Sequence, residues 1–187
     1  MTVSNPQHHP QQPTQLVELI REPLSLGDLN DLCDATELAI ENGGGFGWVN
    51  VPDRNSLELY WQGVITVPSR LLFVARQDDV ICGSAQLVFP PKNNQAQAMS
   101  ANIYSLFLAP WARKSGLASR LLKYIETIAH SDGVDIINID VRATQNDAIQ
   151  LYEGAGYQRI GTHPRYAKIE NEYVSGHYYY KDLNDQS

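Results

Sequence analysis

Leu106-Phe-Leu-Ala-Pro-Trp-Ala-Arg-Lys-Ser-Gly-Leu-Ala118 joins an apolar run to an amphipathic segment through a short polar turn. The apolar run ends at Pro110, and small residues at Gly116 and Ala118 open the amphipathic segment. The pattern predicts a strand, a turn and a helix in that order. The first N–H groups of a helix have no intrahelical partner and carry partial positive charge, so they bind phosphate. Small residues let an anion approach this backbone, and the stretch therefore predicts an anion-binding turn.

Hydrophobic periodicity extends this reading along the rest of the chain. We expect strands over 16–21, 71–76, 80–89, 98–108, 136–142, from 157 onward and over 173–183. We expect helices over 24–40, 53–66, 117–130 and 146–154. Helices interleaved with a partly antiparallel sheet indicate a mixed α/β (α+β) domain.

The segment from Asn146 to Tyr157 is the second stretch that carries chemistry. Asn146 is interpreted as the N-cap of a short helix. Tyr152 is open to two interpretations. It is either a core aromatic with its hydroxyl at an edge, or a phenol in a cleft that acts as a general acid.

Composition limits the class of protein. The 187 residues suit one domain, predicted over 15–187, after a Gln- and Pro-rich disordered arm over 1–14. The net charge of −7 argues against a nucleic-acid partner. We predict no signal peptide, no membrane association and no metal site. Two distant cysteines are expected to be reduced and buried, in agreement with a cytoplasmic protein.

Together, the two motifs resemble the GCN5-related N-acetyltransferase (GNAT) family. The shared features are the strand–Pro–turn–helix at 106–118 and the run Asn146-x-Ala-x-x-Leu-Tyr-x-x-x-Gly-Tyr157, about 30 residues downstream and in the family's order. The resemblance covers roughly residues 16–183. It implies a mostly antiparallel sheet flanked by helices and splayed between the strands that end near Leu108 and Arg142, with acetyl-CoA in the opening.

The resemblance also implies a role for each site residue. Backbone groups of Phe107 and Leu108 would hold the acetyl and pantetheine end. Tyr152 would lie near the sulfur as the catalytic acid, and Asn146 beside the pantetheine arm. The pyrophosphate would bind backbone N–H groups of Arg113, Lys114, Ser115, Gly116, Leu117 and Ala118. Lys114 and Ala118 stand where the family often has glycine.

The implied reaction is direct acetyl transfer from acetyl-CoA to a primary amine, which must be neutral to attack. We expect a small-molecule acceptor. Acetylation of a protein N-terminus or lysine stays open, and so does a CoA-binding regulatory domain without turnover. A homodimer through the C-terminal strands also stays open. The catalytic base is not assigned, and its candidates are Asp140, Glu41, Glu170 and Glu172.

A cationic acceptor is suggested by the acidic balance of the segment between residues 18 and 58. Two arginines, Arg21 and Arg54, stand there against a larger set of acids, although a solvated acidic surface that aids solubility is the better explanation of this balance. The acids are Glu18, Glu22, Asp28, Asp31, Asp34, Glu37, Glu41, Asp53 and Glu58.

Overall fold

The computed structural model describes residues 13–44 and 47–185, and seven strands and four α-helices lie in this part of the chain. The strands are β1 (Gln15–Ile20), β2 (Arg70–Gln77), β3 (Val80–Val88), β4 (Ser100–Leu108), β5 (Ile136–Arg142), β6 (Gln158–Ile169) and β7 (Glu172–Asp182). The helices are α1 (Leu26–Glu41), α2 (Arg54–Thr66), α3 (Leu117–Ser131) and α4 (Asn146–Gly154). Each element predicted from periodicity is present, and its ends shift by two residues at most.

The strands form one sheet in the order β1-β2-β3-β4-β5-β7-β6. All neighbouring strands are antiparallel except β4 and β5, which run parallel. The parallel pair is joined only where Ser100–Asn102 face Ile136–Asn138. Beyond these residues the two strands diverge and leave a gap in the middle of the sheet. The mixed, mostly antiparallel and splayed sheet flanked by helices is therefore confirmed.

Helices cover both faces of the sheet. On one face, α3 packs its apolar stripe against the strands, and Leu121 and Ile125, which lie one turn apart, are fully buried. Burying each such side chain contributes roughly 1.5–3 kcal/mol. On the other face, α1 and α2 pack around the fully buried Trp61 against β2 and β3. The gap between β4 and β5 lies beyond the edge of this second helical layer.

Local sequence explains where the first two helices begin. The Ser25 hydroxyl accepts a hydrogen bond from the backbone N–H of Asp28 at 3.1 Å. The Asp53 carboxylate accepts one from Ser56 N at 3.0 Å. Both are side-chain N-caps, which satisfy donors that the helix leaves without partners.

The predicted N-terminal arm falls mostly outside the described residues. Of residues 1–14, the structure describes Pro13 and Thr14. The backbone N–H of Thr14 donates to the Asp78 carboxylate and the backbone N–H of Asp78 donates to Thr14 O, at 2.9 Å each. The disorder of the arm and the domain boundary at residue 15 stay predictions. Within the described part of the chain, no helix has the length and apolar character needed to cross a membrane.

Both cysteines are free and buried, as predicted. Burial raises the pKa of the Cys33 and Cys82 thiols to about 11. A thiol with such a pKa is protonated at neutral pH and is a poor nucleophile. Neither cysteine therefore adds chemistry to the site described below.

Candidate active site

A cleft of about 430 Å³ opens where β4 and β5 separate. The end of β4, the start of α3 and one side of α4 form its walls. Its lining consists of Gly44, Leu106, Phe107, Leu108, Arg113, Lys114, Gly116, Ala118, Ser119, Gln145, Asp147, Ala148, Gln150 and Leu151. The stretch from Leu106 to Ala118 thus supplies half of the wall.

The end of β4 turns a backbone donor into the gap. Ala109 N bonds to Cys82 O on β3 at 2.7 Å. In an antiparallel pair, successive residues point their N–H and C=O groups to opposite sides, so those of Leu108 point away from β3. The Leu108 carbonyl indeed accepts from Arg113 Nε at 3.2 Å. The Leu108 N–H therefore faces the gap between β4 and β5.

Crowding between β3 and β4 holds this strand end in place. A β-bulge interrupts their pairing, and Ser105 at the bulge has φ of 51°. Just beyond it, a Cβ added to Gly83 would overlap the carbonyl of Phe107 and approach Leu108 Cδ2 at 2.5 Å. Only glycine allows this approach, because any side chain would push the end of β4 away. Gly83 is thus needed for the position of the Leu108 donor.

The start of α3 presents further unpaired donors. The first hydrogen bond of the helical ladder runs from Arg120 N to Gly116 O at 3.1 Å, so the N–H groups of Ala118 and Ser119 precede the ladder. Gly116 takes a left-handed φ of 84°, and Lys114 does so at 60°. The glycine that is frequent in the family at position 114 has a physical reason, since this conformation is costly for a residue with a side chain.

Arg113 joins the anion-binding turn to the end of α1. Its Nη1 donates to Asn42 Oδ1 at 2.5 Å, in addition to the bond from Nε to Leu108 O. On the opposite wall, Gln145 Nε2 donates to Gly43 O at 2.7 Å. The segment after α1 is therefore tied to both walls of the cleft.

The α4 wall differs from the sequence interpretation in one detail. Asn146 is the first residue of the helix and not its N-cap. That position is held by Gln145, whose side chain makes no capping hydrogen bond because it reaches Gly43. Asn146 is exposed and lies outside the lining of the cleft. The capping interpretation of Asn146 is wrong.

Tyr152 points from α4 into the interior, where 4% of its surface stays exposed. Its ring centroid lies 6.0 Å from that of Tyr157 and 6.2 Å from that of Tyr179. Burial, and then the charge of Asp140, raises the pKa of Tyr152 well above the usual value for a phenol. Its hydroxyl makes no hydrogen bond to another described residue. The group is a protonated phenol with a donor to offer.

The structure brings most of the predicted cofactor residues together. Phe107, Leu108, Arg113, Lys114, Gly116 and Ala118 all line the cleft. Ser115 and Leu117 lie in the same turn but outside the lining. The Ser115 hydroxyl bonds to Ala112 O at 2.7 Å, and the Leu117 side chain is fully buried. Tyr152 also lies outside the lining.

Sequence reasoning missed the lining residues that α4 and the third position of α3 contribute. Asp147, Ala148 and Leu151 fall on one side of α4, and this spacing of one and four residues was available in the sequence. Ser119 follows Ala118 in the first turn of α3, so the donor count of a helix start would have included it. Gly44 gave no such signal, because it reaches the cleft only through tertiary folding.

Ion pairs engage most of the acidic segment between residues 18 and 58. Arg76 pairs with Glu18 at 2.5 Å and with Asp28 at 2.7 Å. Arg54 pairs with Asp34 at 2.6 Å, Glu37 at 3.1 Å and Glu58 at 3.5 Å. Two more carboxylates accept hydrogen bonds from backbone N–H groups. Asp31 accepts one from Ile81, and Asp53 accepts one from Ser56. This engagement leaves Glu22 and Glu41 without such a partner among the described residues, so the segment is a weaker cation attractor than its composition suggests.

The four carboxylates named as base candidates lie in different places. Asp140 is on β5 and half-buried, next to the gap. Glu41 ends α1 and is exposed, while Glu170 and Glu172 lie at the exposed turn between β6 and β7. Asp140 is thus the candidate that the fold brings to the diverging strands. In the described ranges, no cluster of three or more His, Cys, Asp or Glu side chains could hold a metal ion.

Comparison with known proteins gives a family match and close structural likeness. The family model described as "Acetyltransferase (GNAT) family" matches residues 35–157. An uncharacterized N-acetyltransferase in the hisH-hisA intergenic region of Azospirillum brasilense is 54% identical over 124 residues, which are 66% of this chain and 74% of the relative.

Two solved structures share the whole architecture. An N-acetyltransferase from Staphylococcus aureus Mu50 superposes with a TM-score of 0.76 at 18% identity, over 91% of this chain and 99% of its own. The putative acetyltransferase yncA from Salmonella typhimurium, solved with its cofactor acetyl-CoA, gives 0.73 at 11% identity, over 92% and 96%. At these identities the two likenesses establish the fold.

Proposed function

The chain belongs to the GNAT acetyltransferase family and is an acetyl-CoA-dependent N-acetyltransferase, and from this premise we propose that its acceptor is the primary amine of a small molecule. The observation that supports a small acceptor is the side chain of Tyr166. It extends from β6 over β7 to Asp140, so the sheet face beyond the gap is already partly covered. A compact amine fits beside this side chain more readily than an extended polypeptide.

The cleft fits the co-substrate by its donors and by its size. A volume of about 430 Å³ is within the usual range for small-molecule sites. The pyrophosphate would bind the N–H groups between Arg113 and Ala118, together with that of Ser119. The Leu108 N–H would donate to the thioester oxygen, beside Phe107. Acetyl-CoA supplies the activated acetyl group, and the protein supplies the donors that orient it.

We assign the acid role to Tyr152 as part of this proposal. A thiolate leaving group has an unperturbed pKa of about 8.5, and a phenol that stays protonated at neutral pH can supply its proton. The unbonded hydroxyl of Tyr152 supports this role, because it leaves a donor free. The raised pKa keeps this phenol protonated at neutral pH but also makes it a weaker acid than an ordinary phenol. Asn146 keeps its predicted place beside the pantetheine arm, although its exposure means that its side chain would have to turn towards the cleft.

The setting of the protein is also part of the proposal. Two buried, unpaired thiols agree with a reducing cytoplasm. A homodimer through the C-terminal strands has one supporting feature, since Ile160 on β6 and Tyr173 on β7 are apolar and well exposed. Sedimentation of the purified protein measures its oligomeric state directly.

Two measurements test the proposed function in sequence. The melting temperature at saturating CoA should rise, because a ligand that binds only the folded state stabilises it. Thiol release from acetyl-CoA is then followed with a panel of small primary amines, a peptide with a free N-terminus and an N-blocked lysine peptide. Faster turnover of a small amine supports the proposal. Preference for a peptide overturns the acceptor class, and CoA stabilisation without any turnover indicates a binding domain.

A further inference from the structure

Asp140 lies on the sheet face opposite α3, at the point where β5 separates from β4. Side chains alternate along a strand, and the flanking Ile139 and Val141 are buried in the core on the α3 side. Asp140 therefore points to the other face, which α1 and α2 leave open at this strand. Tyr152 feels its charge from α4, which lies on the α3 side, so the carboxylate is close to the gap.

Three tyrosines surround this carboxylate. Tyr178 pairs with Asp140 in the register of β5 and β7, so their side chains share a face. The Tyr166 hydroxyl donates to Asp140 Oδ2. The rings of Tyr166 and Tyr178 meet edge to face, with centroids 6.1 Å apart and planes at 80°. Tyr104 lies across the gap.

Strand register places Tyr104 on the same face as Asp140. Asn102 of β4 pairs with Asn138 of β5, and Tyr104 and Asp140 each follow two residues later. Burial, and then the charge of Asp140, raises the pKa of Tyr104. The strand register therefore places the phenol and the carboxylate on the same face, on either side of the point where the strands diverge. Tyr104 thus lies on β4, across the gap from Asp140, Tyr166 and Tyr178.

A glycine makes the arrangement of Tyr166 feasible. A Cβ added to Gly176 on β7 would overlap the Tyr166 ring, with the ring atom Cδ1 at 2.5 Å. The ring therefore lies flat on the backbone of β7 and reaches the neighbouring strand. This contact fixes the direction from which the Tyr166 hydroxyl approaches Asp140.

The carboxylate retains acceptor capacity. Asp140 accepts one hydrogen bond from the described residues, at Oδ2, and an ionised carboxylate offers about four lone-pair positions. Tyr104 and Tyr178 are 43% and 41% exposed, so their rings are accessible beside it. A cation over such rings is attracted by their π-electrons. Two arginines whose charges act on these tyrosines have hydrogen-bond partners outside the cluster. Arg70 donates to Gln86 Oε1 at 2.5 Å, and Arg142 donates to Gly43 O at 3.3 Å.

We propose that Asp140, Tyr104, Tyr166 and Tyr178 form an ammonium-binding subsite, and that the acceptor enters as a primary alkylammonium ion. The inference rests on the proposed function and names the chemistry of its acceptor. Asp140 forms the ion pair, and the tyrosine rings enclose the cation. The subsite recognises the charged amine, which releases its proton to bulk water before the neutral amine attacks the thioester carbonyl.

Binding can be tested without turnover. Butylammonium chloride is titrated calorimetrically into the protein saturated with CoA, and 1-butanol serves as a probe of nearly the same shape without charge. We expect saturable binding of the ammonium ion and none of the alcohol. Asp140→Asn should weaken ammonium binding about 10- to 100-fold, as expected for a hydrogen bond between charged groups.

Matched variants separate the subsite from general electrostatics. Asp132→Asn removes the same charge at the far end of α3, where Asp132 is exposed, and should leave ammonium binding unchanged. Gly176→Ala keeps the carboxylate but displaces the Tyr166 ring, and should weaken binding several-fold. If Asp140→Asn fails to fold, Gly176→Ala and Tyr166→Phe still decide the outcome.

The results distinguish this inference from the proposed function. Equal binding of butylammonium and butanol overturns the subsite, and so do equal effects of Asp140→Asn and Asp132→Asn. Selective ammonium binding that depends on Asp140 supports the subsite even if butylamine is a poor acceptor. Absence of any stabilisation by CoA contradicts the proposed function instead, because none of the four subsite residues lines the cofactor cleft.

Discussion

Removing the hydroxyl of Tyr152 should slow the reaction far more than it weakens binding of acetyl-CoA. Tyr152→Phe deletes one oxygen that makes no hydrogen bond to a described residue, so the fold loses little stability. General acid catalysis typically contributes about 10²- to 10⁴-fold to a rate. We therefore expect kcat to fall at least about 100-fold, which corresponds to about 2.7 kcal/mol in the barrier.

The neighbouring Tyr157 provides a matched control. It is buried to the same degree as Tyr152, and its hydroxyl and Glu126 Oε1 have no hydrogen-bond partner among the described residues. Tyr157→Phe removes the same atom from the same core, with no approach to the cleft. Its kcat should stay within about twofold, since surrounding structure is preserved and no group acting in the reaction is lost.

The assay is initial-rate thiol release with the best amine of the panel, alongside calorimetric binding of CoA. The pKa of Tyr152 is raised above about 10, so its phenol is protonated at every pH below that value. The deficit of Tyr152→Phe should therefore be constant from neutral to mildly alkaline pH. Equal kcat losses in the two variants, or a loss confined to KM, would refute the acid role of Tyr152.

Two predictions concern stability, each measured by urea unfolding without ligand. Lys114→Gly should raise the free energy of unfolding by about 0.5–1 kcal/mol, because the left-handed φ of Lys114 costs about 1–2 kcal/mol and glycine loses about 0.5–1 kcal/mol in conformational entropy. The control Lys123→Gly, within α3, should lower the free energy of unfolding by about 1 kcal/mol. A loss of stability in both variants would contradict the proposed backbone strain at Lys114. Asp28→Asn should cost about 1 kcal/mol at neutral pH, because the Arg76 hydrogen bond holds the pKa of Asp28 below its usual value. Since that pKa is depressed in the fold, the stabilisation is complete above about pH 4 and is lost as the pH falls further, so an unchanged difference at acidic pH would contradict it.

Most of the helices and strands could be predicted from local patterns in the sequence. The periodicity of α3 and the apolar run of β5 are set by neighbours a few residues away, so their bounds were predictable. The anion-binding turn was predictable for the same reason. This kind of anion-binding turn combines a preceding strand, small residues and a helix start, and all three are contiguous in the chain from Leu106 to Ala118.

Features that depend on distant contacts were not predictable. Composition alone made the segment between residues 18 and 58 look strongly negative, because Arg76 lies on β2 and neutralises Glu18 and Asp28 from outside it. The contact of Tyr166 with Asp140 depends on the long β6–β7 hairpin and on Gly176, and no local pattern encodes it. The cap at Gln145 was missed because its side chain reaches Gly43 instead of its own helix.

The limited pairing of β4 with β5 has a consequence for association between molecules. Because β4 and β5 diverge after three residue pairs, each leaves an unpaired edge inside the domain. An unpaired edge can pair with a strand of another molecule. The edge of β5 beyond these pairs, residues 139–142, has only four residues and is shorter than a typical strand of five or six, whereas that of β4, residues 103–108, has six. The bulge at Ser105 interrupts the β4 edge, and the charged Asp140 and Arg142 make the β5 edge unfavourable for pairing with another strand. The gap between β4 and β5 can thus admit a narrow ligand, while its unpaired backbone groups are poorly suited to pairing with a strand of another molecule.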